Sequence, residues 1–188
     1  MILLHGRGDS AAGILSLTGE FENLDDVAWL APQAAGHRWY PYSFLVPLER
    51  NEPDLSSALR VIDGLVAGLE RDAVPAERIV LMGFSQGACL TSEYAARHAR
   101  RYGGIVVLSG GLIGPIGTPR DYPGAFDGTP ALVGCSDVDP HIPLARVEET
   151  TAVYRRMGAI VDERIYPNLP HTITTDEITA VDEMLRGI

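Results

Sequence analysis

The most constraining stretch of this sequence is residues 78–88, which read Arg-Ile-Val-Leu-Met-Gly-Phe-Ser-Gln-Gly-Ala. An apolar run leads into a Gly-x-Ser-x-Gly pattern centred on Ser85, and small residues at helical spacing follow. This order predicts a strand, a sharp turn (the elbow) and a helix, which together present a serine hydroxyl at the end of a strand. Gly83 and Gly87 suit such a turn, because side chains two residues either side of Ser85 would collide. An ordinary strand-to-helix turn is the alternative interpretation.

Length and composition narrow the class of protein. A chain of 188 residues predicts a single domain spanning residues 1–188, and 46% apolar with 21% charged residues is typical of a globular protein. The net charge of −10 gives no general attraction to nucleic acid or to anionic membranes, so we expect neither as a partner. Cys89 and Cys135 are predicted to be small buried hydrophobic residues, not part of a disulfide framework or a metal site.

Targeting signals are not evident in the sequence. No stretch approaches the roughly 18–20 consecutive apolar residues of a membrane span, so we expect no span. Only four residues precede His5, which leaves no room for a signal peptide, so a cytoplasmic location is predicted. A small molecule is the expected partner, and a homodimer is the one larger assembly left open.

Apolar runs and amphipathic patterns alternate about six times along the chain. The helical patterns lie between the apolar runs, the first of them at residues 11–24. This alternation predicts an α/β protein with a mostly parallel sheet of about six strands and helices on both faces. In such sheets functional sites form at the C-terminal ends of the strands, where the polar loops of this sequence fall. The predicted strands are 2–4, 27–30, 78–82, 104–108, 130–134 and 160–166.

Residues 33–53, called here the aromatic loop, lack a regular pattern. They are too rich in proline for a helix or strand, yet too aromatic for a disordered linker. A long loop of this kind is typical of a binding site, so residues 39–44 are predicted to line the substrate pocket, with Trp39 and Tyr40 as substrate contacts. The alternative is that these aromatic rings only pack within the loop.

A serine hydroxyl needs a base to remove its proton. His171 is the favoured base because it lies in a loop between the last predicted strand and the closing helix, at the same sheet edge as Ser85. A third group must then hold the base in the correct tautomer. The less favourably placed histidines are His5, His37, His98 and His141.

Two aspartates compete for that third role, and both follow the predicted strand that ends at residue 134. Pro140 restricts Asp139 to an extended conformation, which would hold its carboxylate at a fixed angle. Asp137 could instead form a turn by bonding the local backbone. We therefore favour Asp139 and retain Asp137 as the alternative; both could also serve only the turn.

Acyl transfer also requires hydrogen-bond donors for the developing oxyanion. The backbone N–H group of Gln86, next to the serine, is one candidate. The second is the backbone N–H group of Arg7, because Gly6 and Gly8 allow its backbone to approach a substrate. The alternative is that this first glycine-rich loop only turns the chain.

Five motifs in this order resemble the phospholipase/carboxylesterase family of α/β-hydrolases, which includes acyl-protein thioesterases and small bacterial carboxylesterases. They are Leu-His-Gly-Arg-Gly-Asp at 4–9, Gly-Phe-Ser-Gln-Gly-Ala at 83–88, Ser-Gly-Gly-Leu at 109–112, Asp-Val-Asp-Pro-His-Ile-Pro at 137–143 and Tyr-Pro-x-x-Pro-His at 166–171.

The resemblance implies an α/β-hydrolase fold and a role for each matching residue. It makes Ser85 the nucleophile, Asp139 the acid, His171 the base, Arg7 and Gln86 the backbone oxyanion donors, and Leu112 a substrate contact. It implies no metal and no cofactor. Relatives usually have more chain before the first motif, so we expect an N-terminally trimmed sheet. Arg7 stands where the thioesterases often have leucine, which argues against a long-acyl protein substrate.

The predicted function is therefore a serine carboxylesterase that hydrolyses small or medium acyl esters, or thioesters, through an acyl-enzyme. A lactonase like dienelactone hydrolase is one alternative, although that activity typically places cysteine at the position of Ser85. A small-ligand receptor that keeps the fold without turnover is the alternative from another class.

Overall fold

The computed structural model describes residues 1–22, 24 and 26–188. Its sheet has five strands, all parallel, and their order across the sheet is their order along the chain. The strands are β1 (Ile2–Leu4), β2 (Val80–Phe84), β3 (Gly104–Leu108), β4 (Pro130–Ser136) and β5 (Ile160–Tyr166).

Helices cover both faces of this sheet. They are α1 (Ala11–Leu15), α2 (Asp54–Arg71), α3 (Gln86–Arg97), α4 (Leu144–Arg156) and α5 (Thr175–Arg186). Alternate residues of β3 belong to different core clusters: Ile105 and Val107 pack with α2, α3 and α4, whereas Val106 and Leu108 pack with α5. All five residues of β3 are buried, as expected for a strand covered on both faces. The predicted parallel sheet is thus confirmed.

The N-terminal edge of the sheet differs from the prediction. Residues 27–30 do not form a strand; only Leu30 pairs with Ile2, through a single parallel bridge. The ladder cannot extend because β1 has three residues and Pro32 lacks an N–H group to donate. The first predicted helix is also shorter, since α1 ends at Leu15 and passes into a 3₁₀ helix, Ser16–Glu20. Asn23, which belonged to that predicted helix, lies outside the described residues.

The aromatic loop is irregular, as predicted, but it is well packed. It contains two short 3₁₀ helices, Ala35–His37 and Leu48–Asn51. Asn51 is fully buried: its Oδ1 accepts a hydrogen bond from the Tyr42 N–H at 2.9 Å, and its Nδ2 donates to the carbonyl of Ser43 at 3.0 Å. One buried amide therefore satisfies backbone groups that a strand or helix would otherwise pair. Within the described ranges, no helix is both long and apolar enough to cross a membrane.

Candidate active site

Ser85 occupies a strained turn between β2 and α3. Its φ of 56° and ψ of −120° are unfavourable for any residue with a side chain. A Cβ atom on Gly83 would collide with the carbonyl of Gly87, and a Cβ atom on Gly87 would collide with the carbonyl of Leu4 in β1. The two glycines therefore allow the turn to pack against the neighbouring strand. The Ser85 N–H group donates to the carbonyl of Leu108 at 3.0 Å, which ties the turn to β3.

Three side chains from different loops form one hydrogen-bonded chain. The Nδ1 atom of His171 lies 2.6 Å from Oδ2 of Asp139, and its Nε2 atom lies 2.8 Å from the Ser85 Oγ. An ionised carboxylate can only accept, so Nδ1 carries the proton and Nε2 is left to accept from the Ser85 hydroxyl. This is the tautomer in which an imidazole can remove a proton from serine.

The Asp139 carboxylate has a complete set of hydrogen-bond donors. Its side chain has no solvent exposure, and Oδ1 accepts from the N–H groups of His141 at 2.8 Å and Ile142 at 3.0 Å. Burial raises the pKa of Asp139, but the hydrogen bonds from His171, His141 and Ile142 outweigh it, so the pKa lies below its ordinary value. The carboxylate is therefore ionised at neutral pH.

Asp137 has a different environment, although it lies only two residues away. Its Oδ1 accepts a hydrogen bond from the Asn168 N–H group at 2.8 Å, and its own N–H group donates to the carbonyl of Tyr166 at 3.0 Å. Asp137 thus joins the loops after β4 and β5. The structure brings Asp139, not Asp137, to His171.

The four less favoured histidines have other neighbours. His5 is fully buried, and its Nε2 accepts from the Ala34 N–H group at 3.1 Å. The ring of His141 meets the ring of His171 edge-on, with centroids 4.9 Å apart. The Nδ1 atom of His37 bonds the carbonyl of Asp9 at 2.8 Å, and His98 packs on the ring of Tyr94 at 4.5 Å.

The backbone N–H groups of Arg7 and Gln86 are free to donate. In the part of the chain that the structure describes, neither group donates to another protein group. Gln86 is the first residue of α3, where N–H groups have no partner within the helix and the helix dipole favours negative charge. Arg7 and Gln86 both line the cavity that contains Ser85 and His171. A substrate oxyanion could accept hydrogen bonds from both.

The cavity beside Ser85 has a volume of about 460 Å³ and a largely apolar wall. This volume lies within the range typical of cavities that bind small molecules. Its lining residues are Gly6, Arg7, Asp9, Tyr40, Pro41, Tyr42, Ser43, Phe44, Phe84, Ser85, Gln86, Cys89, His141, Ile142 and His171. Among the described residues, no cluster of three or more His, Cys, Asp or Glu side chains could hold a metal ion.

Two of the three predicted substrate contacts do not line this cavity. Tyr40 does, but the side chain of Trp39 is turned into the protein, where its Nε1–H group donates to the carbonyl of His5 at 2.8 Å. Leu112 is fully buried, and its N–H group donates to Oγ1 of Thr150 at 3.0 Å. Trp39 and Leu112 thus lie outside the lining of this cavity, because both side chains are used in internal packing.

Phe44 lies in the predicted stretch 39–44, whereas Cys89 and Ile142 line the cavity without having been predicted from the sequence. Cys89 follows Ser85 by four positions, so the helical period of α3 could have placed it below the serine. Burial raises the pKa of the Cys89 thiol to about 12, which leaves it protonated and unreactive at neutral pH. Ile142 lies in an irregular segment whose path no local pattern predicts.

Comparison with known proteins identifies relatives of this chain. A family model described as phospholipase/carboxylesterase matches residues 1–188. The chain is 25% identical over 213 residues to acyl-protein thioesterase 1 of Debaryomyces hansenii, and the match covers 99% of this chain and 91% of that protein.

Solved structures show the same fold. The crystal structure of a phospholipase/carboxylesterase from Dyadobacter fermentans superposes with a TM-score of 0.94 at 46% identity, covering 98% of this chain and 88% of the other. Arabidopsis thaliana SOBER1 superposes with a TM-score of 0.81 at 21% identity, covering 99% and 96% of the two chains. The expected α/β-hydrolase fold is therefore confirmed.

Proposed function

Because the chain belongs to the phospholipase/carboxylesterase family and is an ester hydrolase, we propose that it is a serine carboxylesterase acting through an acyl-enzyme. The observation that carries this proposal is the unbroken hydrogen-bonded chain from the Ser85 Oγ through His171 to Asp139. These three residues form the proposed catalytic triad, with Ser85 as nucleophile, His171 as base and Asp139 as the group that orients the imidazole.

The reaction follows from these roles. The Ser85 Oγ attacks the carbonyl carbon of the ester while Nε2 of His171 takes the hydroxyl proton. The resulting oxyanion accepts hydrogen bonds from the backbone N–H groups of Arg7 and Gln86. The imidazolium then protonates the leaving group, and an acyl-serine remains. Water, deprotonated by His171, releases the acid and restores the hydroxyl of Ser85.

The proposed substrates are esters or thioesters with a small or medium acyl group. A cavity of about 460 Å³ accommodates a short acyl chain against the side chains of Tyr40, Phe44 and Ile142. Thioesters are included because a curated relative is an acyl-protein thioesterase. The cytoplasmic location and the homodimer stay predictions.

The first experiment measures hydrolysis of p-nitrophenyl esters from acetyl to decanoyl by the wild-type chain and by Ser85→Ala. Replacing the nucleophile is expected to lower kcat by about 10⁴-fold or more. Ser57→Ala, which changes an exposed serine of α2 outside the cavity, serves as the control and is expected to match the wild type. Turnover by Ser85→Ala close to that of the wild type would contradict the proposal.

A fluorophosphonate probe supplies an independent test, because it reacts covalently with an activated serine. We expect labelling of the wild-type chain and of Ser57→Ala, and none of Ser85→Ala. An unlabelled wild-type chain that a ligand nevertheless stabilises against heat would favour the receptor alternative.

A further inference from the structure

The two proposed oxyanion donors come from separate parts of the chain. Arg7 lies in the loop after β1, and Gln86 begins the helix after β2. Both N–H groups must lie about 2.7–3.1 Å from the same substrate oxygen. Gly6 and Gly8 flank Arg7, and Gly8 has a φ of +85°. Because glycine adopts many backbone conformations, this loop of residues 5–10, called here the first loop, has little conformational stiffness of its own. Contacts from elsewhere must therefore hold Arg7 at the correct distance from Gln86.

The side chains of these same two residues meet at one backbone oxygen. Nη2 of Arg7 donates to the carbonyl of Tyr40 at 2.7 Å, and Nε2 of Gln86 donates to the same carbonyl at 2.8 Å. Arg7 Nη2 also reaches the carbonyl of Tyr42, at 3.1 Å. A single carbonyl thus accepts hydrogen bonds from both residues that carry the donor N–H groups.

The backbone around Tyr40 is itself fixed to both partners. The Oε1 atom of Gln86 accepts from the Trp39 N–H group at 2.8 Å. The indole Nε1–H group of Trp39 donates to the carbonyl of His5, two residues before Arg7. The N–H group of Gly8 donates to the carbonyl of His37 at 2.7 Å. The aromatic loop therefore bonds the first loop on both sides of Arg7.

We propose that the side chains of Arg7 and Gln86 are positioning residues that set the spacing of the oxyanion donors, with the carbonyl of Tyr40 as their common anchor. This inference rests on the proposed function, because it assigns the backbone N–H groups of the same two residues to the oxyanion. The segment of residues 39–42 then affects catalysis by holding the two oxyanion donors in place. This positioning role also explains why residue 7 is an arginine, although only its backbone N–H group contacts the substrate in the proposed reaction.

The test compares Arg7→Met with Arg50→Met. Arg7 is exposed, so its methionine variant is expected to fold, and its unfolding temperature checks this. Arg50 is a matched cation on the aromatic loop: its guanidinium lies 4.6 Å from the centre of the Tyr42 ring, outside the residues that line the cavity. Replacing Arg50 removes the same charge and leaves the Tyr40 anchor intact.

For Arg7→Met we expect kcat to fall by about 10- to 100-fold with KM within about twofold, because a misplaced donor weakens binding of the transition state but not of the substrate. The inhibition constant of a trifluoromethyl ketone, which forms an oxyanion on Ser85, is expected to rise by the same factor. Arg7→Lys is expected to recover part of the loss, and Arg50→Met to match the wild type. Gln86→Met provides the second variant and is expected to show the same pattern as Arg7→Met.

Three results would overturn the inference. One is an unchanged kcat in Arg7→Met. Another is a raised KM with unchanged kcat, which would make Arg7 a substrate contact. The third is an equal loss in Arg50→Met, which would make charge alone responsible. Each of these leaves the proposed function standing if Ser85→Ala is inactive, whereas an active Ser85→Ala would remove the proposed function itself.

Discussion

The elbow and the aromatic loop meet at one cavity, but different interactions hold them. Around Ser85 the backbone makes the contacts. The N–H group of Ser85 donates to β3, and its carbonyl accepts from the Cys89 N–H group. Gly87 packs on β1. In the aromatic loop, backbone groups that have no partner in a strand or helix are held by side chains: that of Asn51 from within the loop and that of Gln86 from α3.

This difference determines how each region should respond to substitution. Backbone packing between two strands leaves no space for an added atom, so a change at the elbow should affect the whole fold. A side-chain hydrogen bond can be removed singly, so changes in the aromatic loop should have graded effects on activity.

At the proposed catalytic triad, Asp139→Asn is expected to lower kcat by about 10⁴-fold with little change in stability, because it exchanges one side-chain atom and leaves the backbone packing of the elbow intact. The amide would donate to Nδ1 of His171 and so favour the tautomer in which Nε2 cannot accept a proton from Ser85. Asp137→Asn is the matched control and should stay within about threefold of the wild type, because the Asp137 side chain accepts from the backbone N–H group of Asn168 and the Oδ1 atom that accepts is kept in asparagine. Steady-state kinetics on a p-nitrophenyl ester measure both variants. A larger loss in Asp137→Asn would reverse the assignment.

Gly87→Ala should destabilise the protein by about 3 kcal/mol, because the new methyl group would overlap the carbonyl of Leu4. Gly64→Ala is the matched control: Gly64 lies inside α2 with open space around it, so alanine there should stabilise by about 0.5–1 kcal/mol. Urea unfolding measures both changes. Equal stability of the two variants would show that the elbow is not packed against β1 as described.

In the aromatic loop, Trp39→Phe should cost about 1–3 kcal/mol of stability, since it leaves the buried carbonyl of His5 without its indole donor. If this bond also supports the first loop, kcat should fall by about tenfold or less, with KM unchanged. Thermal unfolding and kinetics of the same preparation separate the two effects. A selective rise in KM would instead restore Trp39 as a substrate contact.

The smallest expected effect is a change of preference in Phe44→Ala. Removing the ring from the wall enlarges the cavity, so kcat/KM for longer acyl esters should rise about three- to tenfold relative to acetyl esters. Tyr42→Ala, at a more exposed part of the same wall, should shift the preference less. The ratio of kcat/KM between decanoyl and acetyl esters measures the change. An identical acyl-length profile in Phe44→Ala would remove this residue from the acyl pocket.

Much of the sheet could be predicted from the sequence. The predicted strands at 2–4 and 104–108 have the same bounds as β1 and β3, and every residue of both strands is buried. A buried parallel strand is a short, continuous apolar run, so its own residues are sufficient to indicate it. The predicted strand at 27–30 failed because pairing also needs a partner of sufficient length, and β1 has only three residues.

The sequence by itself determined the elbow, since Gly83, Ser85 and Gly87 satisfy a local steric requirement within five positions. It also narrowed the base and acid to a few residues at one sheet edge, because parallel strands all end there. Only the tertiary structure decided which aspartate meets His171 and where Trp39, Tyr40 and Leu112 lie. The aromatic loop takes its path from hydrogen bonds between residues 33 to 47 positions apart, and no local pattern encodes such pairs.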